Sequence, residues 1–155
     1  MKIFFAAPFT SLLSANLGFS SYHQQLFEAV LNALTASGHR VFSAHVREEW
    51  GKKLLTAEQL VPDDYKALLD ADLVLTHLVE PISQGVLIEL GWASAHRKPI
   101  VLITKSAESY SPMIYGLRML TNVWPVNFEG GAFGSLIADL NEAVKRIASE
   151  RRSPL

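Results

Sequence analysis

Two carboxylates and one turn are the groups in this chain with chemistry to offer. Glu89 lies in EPISQGVLIELGWA, residues 80–93, just after the apolar run LVLTHL at 73–78. Pro81 and Gly85 interrupt the chain there, and an apolar helical pattern begins. Val86, Glu89, Leu90 and Ala93 stand at i, i+3, i+4 and i+7, so they share one helical face. A carboxylate on an apolar stripe near a helix N-terminus is expensive unless it has a task. Ionised, positioned and shielded from water, Glu89 would be a nucleophile. Satisfied by backbone or by a buried arginine, it would be structural, and the pattern alone leaves both readings open.

Asp64 sits on the segment that leads into the 73–78 run. A second carboxylate beside Glu89 would protonate a leaving group or orient a sugar hydroxyl. Spacing by itself favours an ordinary solvated carboxylate, as for Asp63 and Asp70. Ser83 and Gly85 stand where strand gives way to helix, and the N–H groups and dipole there suit a phosphate. Ser83 as a plain N-cap is compatible with this. The glycine spacing fits neither a Walker loop nor a dinucleotide fingerprint. His45, ending another strand, could stack on or hydrogen-bond a ligand, although a lone histidine is more often structural. His23, His39 and His96 read as surface groups and His77 as core or rim. No two histidines have ligand spacing, so no metal site and no cofactor are expected. There is no Gly-x-Ser-x-Gly elbow for a serine hydrolase. Phe9, Trp50 and Met113 could frame a flat ligand or simply be core.

The elements that must position these groups alternate. Strands are predicted at residues 2–7, 40–44, 72–78, 99–104 and 123–128. A helix capped by Ser20 or Ser21 carries Leu26, Phe27, Val30, Leu31 and Leu34 and stops at Gly38. A helical stretch over 56–71 is expected to break or restart near Pro62, a short helix spans 113–119, and a last helix follows Gly130-Gly131. The result is an α/β fold: a five-stranded parallel sheet flanked by helices in a Rossmann-like three-layer sandwich. Ligands in such sheets bind at the carboxyl ends of strands, where Pro8-Phe9, His45 and Ser83 all fall. Ile88, Trp92 and Ala95 form a second apolar stripe on the Glu89 helix, which implies deep burial or a subunit interface.

The chain has 155 residues, 49% hydrophobic and 19% charged, which fits one domain over 1–150 with a frayed tail at 151–155. A net charge of −1 without a basic block argues against nucleic-acid binding by bulk electrostatics. Apolar runs are too short for a bilayer and no signal peptide is evident, so a cytoplasmic setting is expected. The absence of cysteine excludes disulfides, thiolate chemistry and zinc–thiolate sites.

The segments IFFAAPF, AHVREEWG, Asp64 ahead of DADLVL, and SQGVLIELGWA together resemble the nucleoside 2-deoxyribosyltransferase-like superfamily. The similarity, over residues 2–147, is closer to the nucleoside 5′-monophosphate N-glycosidases, and PFTSL and AHVREEWG favour their cytidylate and hydroxymethylcytidylate hydrolases. The resemblance implies Glu89 as the glutamate that attacks the anomeric carbon and Asp64 as its partner. It implies Ser83 and Gly85 as a phosphate-binding turn, and Pro8, Phe9, Thr10 and His45 around the base, with Met113 also at the substrate. Ser111 matches a serine that reaches a neighbouring subunit's site, so a homodimer with composite sites is implied. The expected activity is cleavage of the N-glycosidic bond of a pyrimidine nucleoside 5′-monophosphate, CMP first. A base-exchanging deoxyribosyltransferase and a non-catalytic nucleotide-binding module are the alternatives. This chain departs from the transferases in having Phe4 where they carry a tyrosine. It has Thr10 where related hydrolases carry an arginine, which leaves the preferred base open.

Overall fold

The computed structural model describes residues 1–14, 18–106 and 110–150. The frayed tail expected at 151–155 lies outside the described residues. Five strands form one parallel sheet: β1 (Lys2–Ala6), β4 (Arg40–Ser43), β5 (Leu73–His77), β6 (Ile100–Thr104) and β7 (Val123–Asn127), in the order β4-β1-β5-β6-β7. Between β1 and the first long helix, β2 (Leu13–Ser14) and β3 (Gly18–Phe19) make a small antiparallel ribbon. This ribbon is not among the predicted strands, because two-residue strands carry too little alternation to register. Pro125 is tolerated in β7 because that strand is the sheet's edge.

Alternation along the strands divides the core in two. Ile3 and Phe5 of β1 join Leu75, Val101 and Ile103 under α1 (Ser21–Ala36) and α6 (Phe133–Glu150). Phe4 and Ala6 point the other way, with Val74, Ile100 and Leu102, under α3 (Ala57–Asp70) and α4 (Gln84–Ala95). β5 is buried at every position, as a central parallel strand covered on both faces must be. A single helical turn, α2 (Ala44–Arg47), follows β4, and α5 (Pro112–Gly116) follows β6. Strand order reverses between β1 and β5, so a crevice opens at their carboxyl ends.

Two expectations are corrected. α3 does not break at Pro62 but runs through it, with the proline as its sixth residue. The prolyl nitrogen has no hydrogen for the Glu58 carbonyl, yet both residues are exposed, so that carbonyl is not left unpaired in a dry interior. Thr56 N–H donates to Gln59 Oε1 at 3.1 Å and helps hold the first turn. Of the two settings expected for the Ile88, Trp92 and Ala95 stripe, deep burial is not found: Ile88 is 54% exposed, Ala95 is open to solvent and Trp92 is half-buried. Among the described residues no helix is long and apolar enough to cross a membrane.

Replacing Pro62 by alanine restores one helical bond at an exposed position. Pro62→Ala is expected to raise stability by about 1 kcal/mol, the helix gain being offset partly by a freer unfolded chain. Urea denaturation followed by circular dichroism measures this, and a loss of stability would show that the proline is needed where it stands.

Candidate active site

A cavity of about 450 Å³ opens at the crevice, and Glu89, Asp64, Ser83, Gly85, Phe9 and Thr10 all line it. Three segments bring them there. β1 ends at Ala6, and the chain continues through Ala7 and Pro8 to Phe9 and the 3₁₀ turn Thr10–Leu12. α3 delivers Asp64 from its buried face, and α4 begins at the cavity wall with Ser83 as N-cap. The Ser83 hydroxyl makes no capping bond to the helix, so it and the first N–H groups of α4 are available to a ligand.

The fourth contribution is the AHVREEWG segment, which continues from α2. Arg47 Nη1 donates to Asp64 Oδ1 at 2.6 Å and Nη2 donates to Glu48 Oε1 at 2.8 Å. Its guanidinium lies over Phe42, with Cζ 5.4 Å from the ring centroid, and Phe42 in turn stacks on Phe4. Glu48 is buried and lines the cavity. Its Oε2 accepts from Leu55 N–H at 3.2 Å, and its carbonyl accepts from Gly51 and Lys53 at 3.0 and 3.1 Å. Glu49, Trp50 and Gly51 all adopt positive φ, and this left-handed turn folds the segment back on itself. At Gly51, with φ at 90°, a Cβ would also collide with Leu13 Cδ2.

Electrostatics distinguish the carboxylates. Burial pushes the Glu89 carboxyl up to about 8, the nearby charge of Asp64 adds to this, and Arg47 works against it. Arg47 is thus not the partner of Glu89; its ion pairs go to Asp64 and Glu48. Burial also raises the pKa of Asp64, opposed by the hydrogen bond and charge of Arg47. Asp64 is therefore no solvated helix carboxylate, whereas Asp63 and Asp70 are exposed. Burial lowers His45 to about 4, with smaller opposition from its bond to Pro8 and the charge of Glu48.

His45 does not reach the cavity. It is 1% exposed, its Nε2–H donates to the Pro8 carbonyl at 2.9 Å, and Ser43 Oγ lies 3.3 Å from Nδ1. A carbonyl only accepts, which fixes the proton on Nε2 and makes His45 a brace beneath the Pro8-Phe9 turn. Pro8 is likewise buried and acts through that turn. Trp50 packs against His45 and Phe19 under the site. Ser111 and Met113 stand apart from this chain's own cavity: Ser111 Oγ accepts from Met113 N–H at 3.3 Å, and Met113 is 79% exposed. His23 and His39 are half-buried rather than open, while His77 is core. Sequence reasoning overlooked Arg47 and Glu48. An arginine 17 residues from its partner aspartate leaves no periodic mark, and the only cue was two carboxylates directly after it in one short motif. No group of three or more metal-ligating side chains occurs among the described residues.

A parallel sheet with paired carboxylates at its switch point falls in the class of α/β enzymes that work at strand ends. The family described as nucleoside 2-deoxyribosyltransferase matches residues 12–144, and the chain belongs to that family. Among solved structures, BlsM is 28% identical with a TM-score of 0.81, over 99% of this chain and 94% of that one. The CMP N-glycosidase BcmB of Clostridium botulinum is 24% identical with a TM-score of 0.72, over 92% and 99%. A 2-deoxyribosyltransferase from Bacillus psychrosaccharolyticus is 18% identical with a TM-score of 0.59, over 88% and 90%. The last two likenesses are of fold. No curated protein matches the chain.

The raised pKa of Glu89 has a thermodynamic consequence. Between the ordinary glutamate value and about 8, the folded chain holds a proton that the unfolded chain has released. The contribution is therefore full at acid pH and is lost as pH rises toward 8. Glu89→Gln is expected to match the parent's stability near pH 4 and to exceed it by about 2 kcal/mol at pH 8, less than full linkage because the residue is only half-buried. Denaturation curves at the two pH values measure the difference; a constant gap would refute the shift.

Proposed function

We propose that this protein hydrolyses the N-glycosidic bond of a pyrimidine nucleoside 5′-monophosphate, CMP in first place. The observation that carries this reading is Glu89 and Asp64 on one cavity wall, beside an α4 N-terminus whose cap hydroxyl is unused. The phosphate would take the α4 N-terminus and Ser83, placing C1′ before Glu89. Ionised Glu89 attacks C1′ as the C1′–N bond breaks, and the electron pair leaves with the base. Asp64 takes up the proton that Glu89 releases and passes it to the base; Arg47 engages Oδ1, which leaves Oδ2 for this role. Water then attacks C1′ from the vacated side and gives its proton to Asp64. The C1′–O bond to Glu89 breaks, releasing ribose 5-phosphate and restoring both carboxyl groups. Family membership supports glycosyl-bond chemistry, and Ser83 at the turn favours phosphate over a free 5′-hydroxyl.

Incubation with CMP, dCMP, UMP, AMP and cytidine, with free base followed by chromatography, tests this reading. Base is expected from CMP and not from cytidine, and kcat/KM should fall as pH rises beyond about 8, where the proton held by Glu89 is lost. Glu89→Gln should lower kcat by at least about 10³-fold while keeping the fold. Normal turnover in that variant, or exchange of an added base in place of hydrolysis, would overturn the assignment, the second outcome in favour of a transferase.

We also propose that two copies share their sites. Leu87, Ile88, Met113, Tyr115, Met119 and Leu120 leave an apolar surface open across α4, α5 and the 3₁₀ turn Leu117–Met119. Covering it with a second copy would let Ser111 enter the partner's cavity, where its hydroxyl would meet the phosphate. Glu89→Ala and Ser111→Ala, each impaired alone, should regain activity when mixed and allowed to exchange subunits, because one site per mixed dimer is then intact. No recovery alongside demonstrated exchange would show that Ser111 acts within its own chain or not at all.

A further inference from the structure

We infer that Glu48 reads the base, as an acceptor fixed for an exocyclic amine. The inference rests on the nucleotide reading of the cavity and names its selectivity. Glu48 is buried, lines the cavity, and is pinned through both oxygens, Oε1 by Arg47 and Oε2 by Leu55 N–H. A carboxylate has about four lone-pair directions and these bonds occupy two, so acceptor capacity remains. The wall around it is apolar, built by Leu13, Leu54, Leu55, Leu60 and Val61. The other polar side chains that line the cavity besides Glu89 are Thr10, exposed on its 3₁₀ turn, and Asp64 and Ser83, which the nucleotide reading places at the glycosidic bond and the phosphate.

Its place in the chain of charges sets where that edge must be. Asp64 acts on Glu89 by charge, and Arg47 binds Asp64 and then Glu48. Glu48 is therefore one guanidinium farther from Glu89 than Asp64 is. With C1′ at Glu89 and the glycosidic nitrogen at Asp64, the far edge of a pyrimidine is what remains for Glu48. Arg47 offsets one of two carboxylate charges there, so this end of the cavity stays negative and turns a phosphate away toward α4. An acceptor in that position bonds the 4-amino group of cytosine and repels the 4-oxo group of uracil, as carboxylates do when they read cytosine elsewhere.

Binding to the Glu89→Gln protein separates this inference from the chemistry. Calorimetry should show CMP binding at least about 10-fold tighter than UMP, the scale of one hydrogen bond to a charged group. The 5′-monophosphate of pyrimidin-2-one riboside, which lacks any 4-substituent, should fall between them. Adding Glu48→Gln, whose amide presents a donor as well as an acceptor, should bring the CMP to UMP ratio close to unity while the protein still unfolds cooperatively. An unchanged ratio, or equal weakening of both nucleotides, would reduce Glu48 to a clamp on the Leu55 segment and overturn the inference. If the double variant fails to fold, the three nucleotides decide on the single variant: equal binding overturns the inference, and the stated order sustains it. Selective CMP binding without base release by the parent would sink the hydrolase reading and leave Glu48 standing. Base release that ignores the 4-substituent would do the reverse.

Discussion

The cavity depends on a single cation. Arg47 holds Asp64 and Glu48 at hydrogen-bonding distance from one guanidinium, itself laid over Phe42. Two carboxylates this close and this shielded would otherwise repel, and one would take up a proton. Breaking such a pair costs about 3–5 kcal/mol where it is fully buried, and the 20% exposure of the Arg47 side chain places this one toward the lower figure. The pairing reaches across the fold, joining the segment after β4 to the buried face of α3. It therefore fixes the wall of the cavity as well as its charge.

Charge is distributed along the cavity rather than concentrated in it. One end has an open helix N-terminus and a free hydroxyl; the other has carboxylates that outnumber their cation. A ligand with an anionic group at one end and hydrogen-bond donors at the other has a single favourable direction of entry. Glu89 lies between, and burial raises its pKa to about 8, so its ionised form is a minor one at neutral pH. Enzymes that use a carboxylate this way trade resting ionisation for a less solvated, more reactive anion.

The layered sheet was legible because β-alternation and helical spacing agree wherever a segment is buried on a defined face. Glu89 stood out because an acid on an apolar stripe contradicts its setting. Asp64 could not be read that way, since Asp63 and Asp70 look the same in sequence and only tertiary packing sorts them. Pro62 misled for a related reason: a proline is a helix breaker by propensity, but an exposed carbonyl can turn to water and the buried contact of Leu68 keeps the helix going. His45 was legible only as a ligand contact or a structural histidine, and its role as a brace was hidden because its partner, a carbonyl 37 residues away, has no side-chain signature.

Glu48 anchors its own neighbourhood: its carbonyl and carboxylate together accept from Gly51, Lys53 and Leu55, and its side chain answers to Arg47. Thr10, by contrast, is an exposed residue on a 3₁₀ turn and lines the same cavity. The two positions differ in mutational freedom. A change at Thr10 alters the cavity rim while leaving its scaffold alone, whereas truncating Glu48 releases Leu55 N–H and Arg47 together. New substrate preferences are thus most accessible to evolution, or to a designer, through Thr10, with the Glu48 end inherited intact.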